Sequence, residues 1–141
     1  MVGNTILVTE GDNHTRLRRF LNPAFSPKTV RSMIPFFEEL TNELLAGFID
    51  KGECDFMTDF ADPYAGRVLC YLLGISPDTA WDILDLSSDM GLALGVTYKQ
   101  SLPQIEAATK KMYDLVEKVL EARKKEPGDD ILSMLINAGE G

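Results

Sequence analysis

The sequence contains few of the residue types that carry self-contained chemistry. Its 141 residues include one histidine, His14, and two cysteines, Cys54 and Cys70. Two cysteines this far apart do not form a disulfide scaffold, and a single histidine cannot supply the clustered ligands of a zinc site. A glycine-rich phosphate loop and a nucleophile elbow are also missing. We therefore expect two reduced thiols, no metal site and no catalytic set within this chain.

An excess of basic residues and a long apolar run are likewise absent. The 14 basic and 22 acidic residues give a net charge of -8, which argues against nucleic acid or an anionic membrane as a partner. No apolar run is long enough to cross a bilayer, and the first residues lack the plan of a secretory signal. We expect a cytoplasmic protein. Its 45% hydrophobic residues are enough for one domain with a real core.

Helical periodicity is what the sequence has in quantity. Ser26-Pro27 and Ser76-Pro77 are typical helix starts, because serine caps free N–H groups and proline suits the first turn. Apolar residues then recur at spacings of three and four. The pattern predicts a mainly all-α fold with helices over residues 14–21, 27–51, 58 or 62 to 74, 77–94 with a loosened end at the glycines 91 and 95, 102–125 and 129–138.

Three further local features carry expectations. At most one or two short strands are expected, between Thr5 and Thr9 (TILVT) and between Glu53 and Phe56 (ECDF), each without a visible partner. Ser101 and the glutamine three residues later resemble a capping box. The basic run RKKE, residues 123–126, suits the carbonyl end of a helix and is interpreted as a solvated terminus.

His14 and Arg18 are the candidate binding residues. They lie four positions apart in the segment HTRLRRFLNPAFSP, so on a helix both side chains reach one anion together. A histidine and an arginine at this spacing are also common on solvated helix faces. The residues alone leave both interpretations open.

Several motifs in order resemble one family. They are HTRLRR with AFSP, the long helix after them, CDF, DFADPYAGRVLCYLLGIS and EARKKEPGDDILSML. Together they resemble the bacterial soluble cytochrome P-450 family of haem-thiolate monooxygenases, over nearly the whole chain and roughly from helix C to helix H. The resemblance implies that His14 and Arg18 hold a haem propionate. It also implies a substrate lid that includes Met90, Gly91, Leu94 and Val96, with glycines as hinges.

The chain departs from the family in what it lacks. The haem-ligand cysteine loop and the oxygen-activating central helix have no counterpart, and neither cysteine matches that loop. Residues 1–141 are therefore expected to form a single partial domain, the helical substrate-lid half of a monooxygenase. The intact protein would hydroxylate a small apolar or amphipathic molecule with O2 and electrons from a ferredoxin- or flavodoxin-type donor. The isolated chain is expected to lack haem and to be inactive.

Other interpretations stay open at this point. The chain could be a stand-alone helical binding or interaction domain derived from the same scaffold, or, less favoured, could bind haem by itself through His14. Arg16 and Arg19 could meet an acidic electron donor, although solvated charge is the simpler role. Without haem, His14 and Arg18 are expected to be exposed or paired with acids. Exposed apolar surface predicts a homodimer or a helix-swapped oligomer that opens between Gly91 and Ser101.

Overall fold

The chain folds into α-helices joined by short turns. A computed structural model describes residues 6–96 and 98–139, and within these residues there is no strand. The all-α prediction is confirmed. The six helices are α1 (Gly11–Leu21), α2 (Pro27–Ala46), α3 (Asp62–Leu73), α4 (Ala80–Gly91), α5 (Leu102–Lys125) and α6 (Ile131–Gly139).

Neither of the two strand positions allowed by the sequence is occupied by a strand. Residues 6–8 form a turn, and residues 53–55 have no regular structure. Thr5 lies outside the described residues. The segment after residue 55 instead begins a helical turn at Phe56, and a π-helical turn, Met57–Ala61, leads into α3. Single β-branched or alternating segments without a partner strand cannot satisfy their backbone hydrogen bonds as strands.

The serine-proline helix starts are confirmed. The Ser26 hydroxyl accepts a hydrogen bond from the backbone N–H of Thr29 at 3.2 Å, and α2 begins at Pro27. The Ser76 hydroxyl accepts from Asp78 N–H at 3.3 Å, at the start of a 3-10 turn that leads into α4. α2 continues through Pro35 to Ala46, so this proline does not end the helix.

Helices α3, α4 and α5 enclose the main core. Cys70, Ala80 and Ile83 are buried there, with Ile75, Met112 and Leu115 packed against them. Burial raises the pKa of the Cys70 thiol, which agrees with its interpretation as a core residue. Helix α2 packs on α3, where the rings of Phe36 and Tyr71 stack with their centroids 3.9 Å apart. Leu40 of α2 is buried.

Of two expectations about the ends of α5, one is wrong and the other holds in part. Ser101 makes no side-chain cap, because its backbone (φ -101, ψ 5) is not in the extended conformation that a capping residue adopts. Gln104 instead donates a hydrogen bond to Asp89 on α4 at 2.7 Å. At the other end Lys124, Lys125 and Glu126 are exposed, as expected, whereas Arg123 forms an ion pair with Asp130 at 2.8 Å.

Helices long and apolar enough to cross a bilayer are absent from the described part of the chain. The same residues contain no group of three or more histidine, cysteine or acidic side chains arranged to hold a metal ion.

Candidate functional site

Helix α1 positions His14 and Arg18 on adjoining edges. His14, Leu17 and Leu21 are half-buried and mark the inward face of the helix, whereas Arg18 is exposed. Arg18 and Arg19 lie in the last turn of α1, where positive charge favours the carbonyl end of the helix dipole. The expectation of exposure holds for Arg18, and His14 is more enclosed than expected.

The two side chains have the chemistry of a carboxylate site. They lie one helical turn apart, and both carry N–H donors, of which the guanidinium is always charged. Within residues 6–96 and 98–139 neither side chain forms a hydrogen bond or an ion pair. Both are therefore available to a carboxylate such as a haem propionate.

The cysteines do not fit the iron of a haem. An iron-ligating thiolate must be ionised and must border a cavity for the macrocycle. Cys70 is closed inside the helical core with a raised thiol pKa, and Cys54 is exposed in the segment between α2 and α3. The residues described here thus fit the propionate of a haem and not its iron.

A second feature is an apolar cavity between the end of α4 and the first two thirds of α5. It has a volume of about 400 Å³. Four of its residues recur at spacings of four, three and four on α5, which places them on one face of that helix. The lining consists of Met90, Ala93, Tyr98, Leu102, Ile105, Thr109, Met112, Tyr113 and Val116. This surface would accept an apolar molecule and offer it three hydroxyl groups.

The predicted lid residues do not all reach this cavity. Met90 lines it, whereas Leu94 and Val96 are 93% and 102% exposed. Gly91 has an ordinary helical backbone, with φ -60, at the end of α4. The roles of these residues in a lid remain predictions, as do those of His14 and Arg18 toward a propionate.

Several cavity residues were missed at the sequence level. The apolar pattern of α5 already contained Ile105 and Met112. Thr109 and Val116 lie four residues after them, on the same face of the helix, and could have been found from that spacing. Tyr98 lies in a 3-10 turn, Tyr98–Ser101, where no helical periodicity identifies the inward side.

Comparison with known proteins extends over almost the whole chain. No protein-family model matches it. It is 32% identical over 130 residues to luteothin monooxygenase from Streptomyces thioluteus, and this alignment covers 92% of this chain and 32% of the relative. It is 29% identical over 140 residues to cytochrome P-450 CYP107DY1 from Priestia megaterium (strain ATCC 12872 / QMB1551), covering 96% of this chain and 32% of the relative.

A solved structure shows the same helical arrangement. The crystal structure of CalO2 superposes with a TM-score of 0.91 at 30% identity, over 99% of this chain and 35% of that chain. The chain therefore spans about one third of the length of the proteins it matches. The helices, their order and the sequence similarity lead to one assignment: the chain belongs to the bacterial cytochrome P-450 family, whose members are haem-dependent.

Proposed function

We propose that this chain supplies the haem-propionate contacts and the substrate lid of a monooxygenase that hydroxylates a small apolar or amphipathic molecule. The observation that carries the proposal is that one short chain holds both the His14 and Arg18 donor pair on α1 and the apolar cavity between α4 and α5. The haem, when bound, supplies the oxygen chemistry. The residues of this chain hold its carboxylate and cover the substrate.

The 141-residue chain by itself is expected to be inactive. Cys70 is buried in the core and Cys54 lies exposed between α2 and α3, so neither is in the setting of a thiolate that ligates a haem iron. In the complete enzyme, electrons would come from a ferredoxin- or flavodoxin-type protein. Arg16 and Arg19 are both exposed on α1 and suit the acidic surface of such a donor.

The experiment first reads the coding sequence beyond codon 141. The product of the complete reading frame is then expressed and compared with the 141-residue chain. That product is expected to bind haem and to give a thiolate-type spectrum with carbon monoxide, whereas the 141-residue chain mixed with haemin is not. A thiolate-type complex of the 141-residue chain alone would contradict the proposal. So would a complete product that binds no haem.

Variants on α1 separate the two proposed roles of the helix. In the complete product, His14→Ala and Arg18→Ala are expected to lower haem occupancy, because each removes a donor to the propionate. Arg16→Ala and Arg19→Ala are expected to leave haem occupancy unchanged and to slow reduction by a ferredoxin, more strongly at low salt. Equal haem occupancy in all four variants would argue against a propionate site at His14 and Arg18.

The cavity supports a second candidate function, which is binding of an apolar ligand by the chain without haem. Its volume of about 400 Å³ lies within the range of small-molecule pockets. The test is titration of the chain with a fluorescent apolar probe such as N-phenyl-1-naphthylamine. Val116→Gln should weaken probe binding, and Lys118→Gln, on another side of the same helix, should not. Identical titrations of both variants would remove this candidate.

A further inference from the structure

Arg123 and Asp130 form an enclosed ion pair at the end of α5. Arg123 Nε lies 2.8 Å from Asp130 Oδ2, and the two side chains are only 24% and 5% exposed. The N–H of Arg123 Nε does not point at Asp130 Oδ2, so the contact is an ion pair and not a hydrogen bond. Removing one partner of an enclosed pair leaves the other charge uncompensated, and the local structure must then rearrange.

Asp130 uses its second oxygen to start the next helix. Its Oδ1 accepts a hydrogen bond from the backbone N–H of Ser133 at 2.8 Å, and the Ser133 hydroxyl accepts one from Gly128 N–H at 2.8 Å. Ser133 is buried. One carboxylate therefore holds α5 through one oxygen and the first turn of α6 through the other.

The same pair rests against the end of α3. Gly74 ends that helix with a left-handed backbone, φ 64, which favours glycine. A Cβ atom at Gly74 would lie 2.6 Å from Asp130 Cγ and 2.7 Å from Arg123 Nη2, so the ion pair occupies the space beside the glycine. The last turns of α3 and α5 and the first turn of α6 therefore meet at this ion pair.

This point lies at the opposite end of α5 from the outer part of the cavity. Ile105 is 18 residues from Arg123, which corresponds to about 27 Å along a helix. A tilt of about 5° at Arg123 would move Ile105 by about 2 Å, because displacement grows with distance along a rigid helix. Small changes at the ion pair are thus amplified at the cavity.

We infer that Arg123 and Asp130 are positioning residues for the lid: their ion pair fixes the tilt of α5 and so the width of the apolar cavity. This inference rests on the proposed role of α4 and α5 as a lid. It assigns no contact with substrate or haem to either residue.

The test compares two carboxylate-to-amide changes. Asp130→Asn removes the charge and keeps an oxygen that can cap α6. Glu43→Gln is the matched control, because Glu43 also pairs with an arginine, Arg67, but does so between α2 and α3. Spin labels are placed at Asp82→Cys on α4 and Glu106→Cys on α5, both exposed, in a Cys54→Ser background. The buried Cys70 stays in place.

Pulsed electron paramagnetic resonance then gives the distance between the labels. Asp130→Asn is expected to shift the mean distance by about 2 Å, the size of helix displacements in switching proteins. Glu43→Gln is expected to match the unsubstituted protein. A loss of stability alone would not produce this result, since only folded molecules contribute a defined distance.

An unchanged mean distance in folded Asp130→Asn would overturn the inference. If that variant does not fold, Arg123→Gln is measured in its place, since it removes the charge of the other partner and keeps a polar side chain, and an unchanged mean distance overturns the inference equally. The distances are measured without haem or substrate. They therefore test the positioning pair separately from the haem-occupancy experiments on α1.

Discussion

Glu43 and Arg67 form a two-point contact between α2 and α3. The Arg67 guanidinium donates to both carboxylate oxygens, at 2.7 and 2.9 Å. These hydrogen bonds hold the pKa of Glu43 below its ordinary value of 4.5 and raise that of Arg67. A depressed carboxylate pKa stabilises the fold above the unfolded-state pKa, and the stabilisation is lost as pH falls through the folded-state pKa.

Glu43→Gln should therefore lower stability at neutral pH and have no such effect in acid. The loss will be small, because the Glu43 side chain is largely exposed and solvent screens the pair. Urea midpoints of the two proteins are compared at about pH 7 and about pH 3. Glu39→Gln, an exposed carboxylate on the same helix, is the control. An equal deficit at both pH values would show that the charge of Glu43 is not responsible.

The two cysteines differ enough in environment to be told apart by reaction. Cys54 is exposed, whereas Cys70 is buried and its thiol pKa is raised above the ordinary value of 9.0. Because the thiolate is the nucleophile, Cys70 should react with an aromatic disulfide reagent only when the core opens. We expect one thiol to react quickly in the native protein and both in urea. Cys54→Ser should remove the fast phase, and a fast phase that persists would mean that Cys70 is accessible.

At the scale of the helices, the approach of α3 to α4 depends on Gly66. A Cβ atom there would lie 2.9 Å from Leu84 Cδ1 and 3.0 Å from Ala80 Cβ. Gly66→Ala should gain up to about 1 kcal/mol of helix propensity and lose about 1–3 kcal/mol to overpacking, so net destabilisation is expected.

Gly91→Ala is the matched control for this prediction. A Cβ atom at Gly91 meets nothing within 4 Å and its backbone is helical, so alanine should stabilise α4 by about 0.4–1 kcal/mol. Thermal or urea unfolding of the two variants gives both values. If Gly66→Ala is as stable as Gly91→Ala, then α3 and α4 are not in close contact at Gly66.

Features set by neighbouring residues could be predicted from the sequence, and features set by distant ones could not. The caps at Ser26 and Ser76 depend on a serine, a proline and the next turn, and both are present. The cap at Ser101 failed because the preceding connection dictates its backbone. The Arg123 ion pair was missed because Asp130 reaches it only after the chain has turned back.

In the candidate site, too, only the features set by neighbouring residues could be predicted from the sequence. The one-turn spacing of His14 and Arg18 is local, and α1 confirms that they lie on one helix. Which residues face the cavity depends on how α4 meets α5. Trp81 and Leu94 belong to the apolar pattern of one helix, yet they are 50% and 93% exposed. Periodicity identifies an apolar stripe and cannot say whether another helix covers it.

At the scale of the whole molecule, large apolar side chains remain uncovered. In the matched relatives about two thirds of the chain lies outside the region shared with this one. Exposed apolar residues are spread over the described part of the chain, and seven of them lie on the connection and lid side, namely Leu92, Leu94, Val96, Tyr98, Leu102, Tyr113 and Val116. An apolar surface of this kind, next to a connection between two helices, favours association or exchange of helices between copies.

We therefore predict that the 141-residue chain forms a homodimer or a helix-swapped oligomer through its lid side. Leu94→Ser combined with Val96→Ser should weaken association at least about tenfold, because burial of each side chain contributes about 1.5–3 kcal/mol. The control is Phe56→Ser combined with Met57→Ser, which removes two exposed apolar residues away from the lid. Sedimentation equilibrium over a range of concentrations gives the dissociation constants. A chain that stays monomeric at the highest concentration, or a control pair that weakens association equally, would show that the lid side does not join the copies.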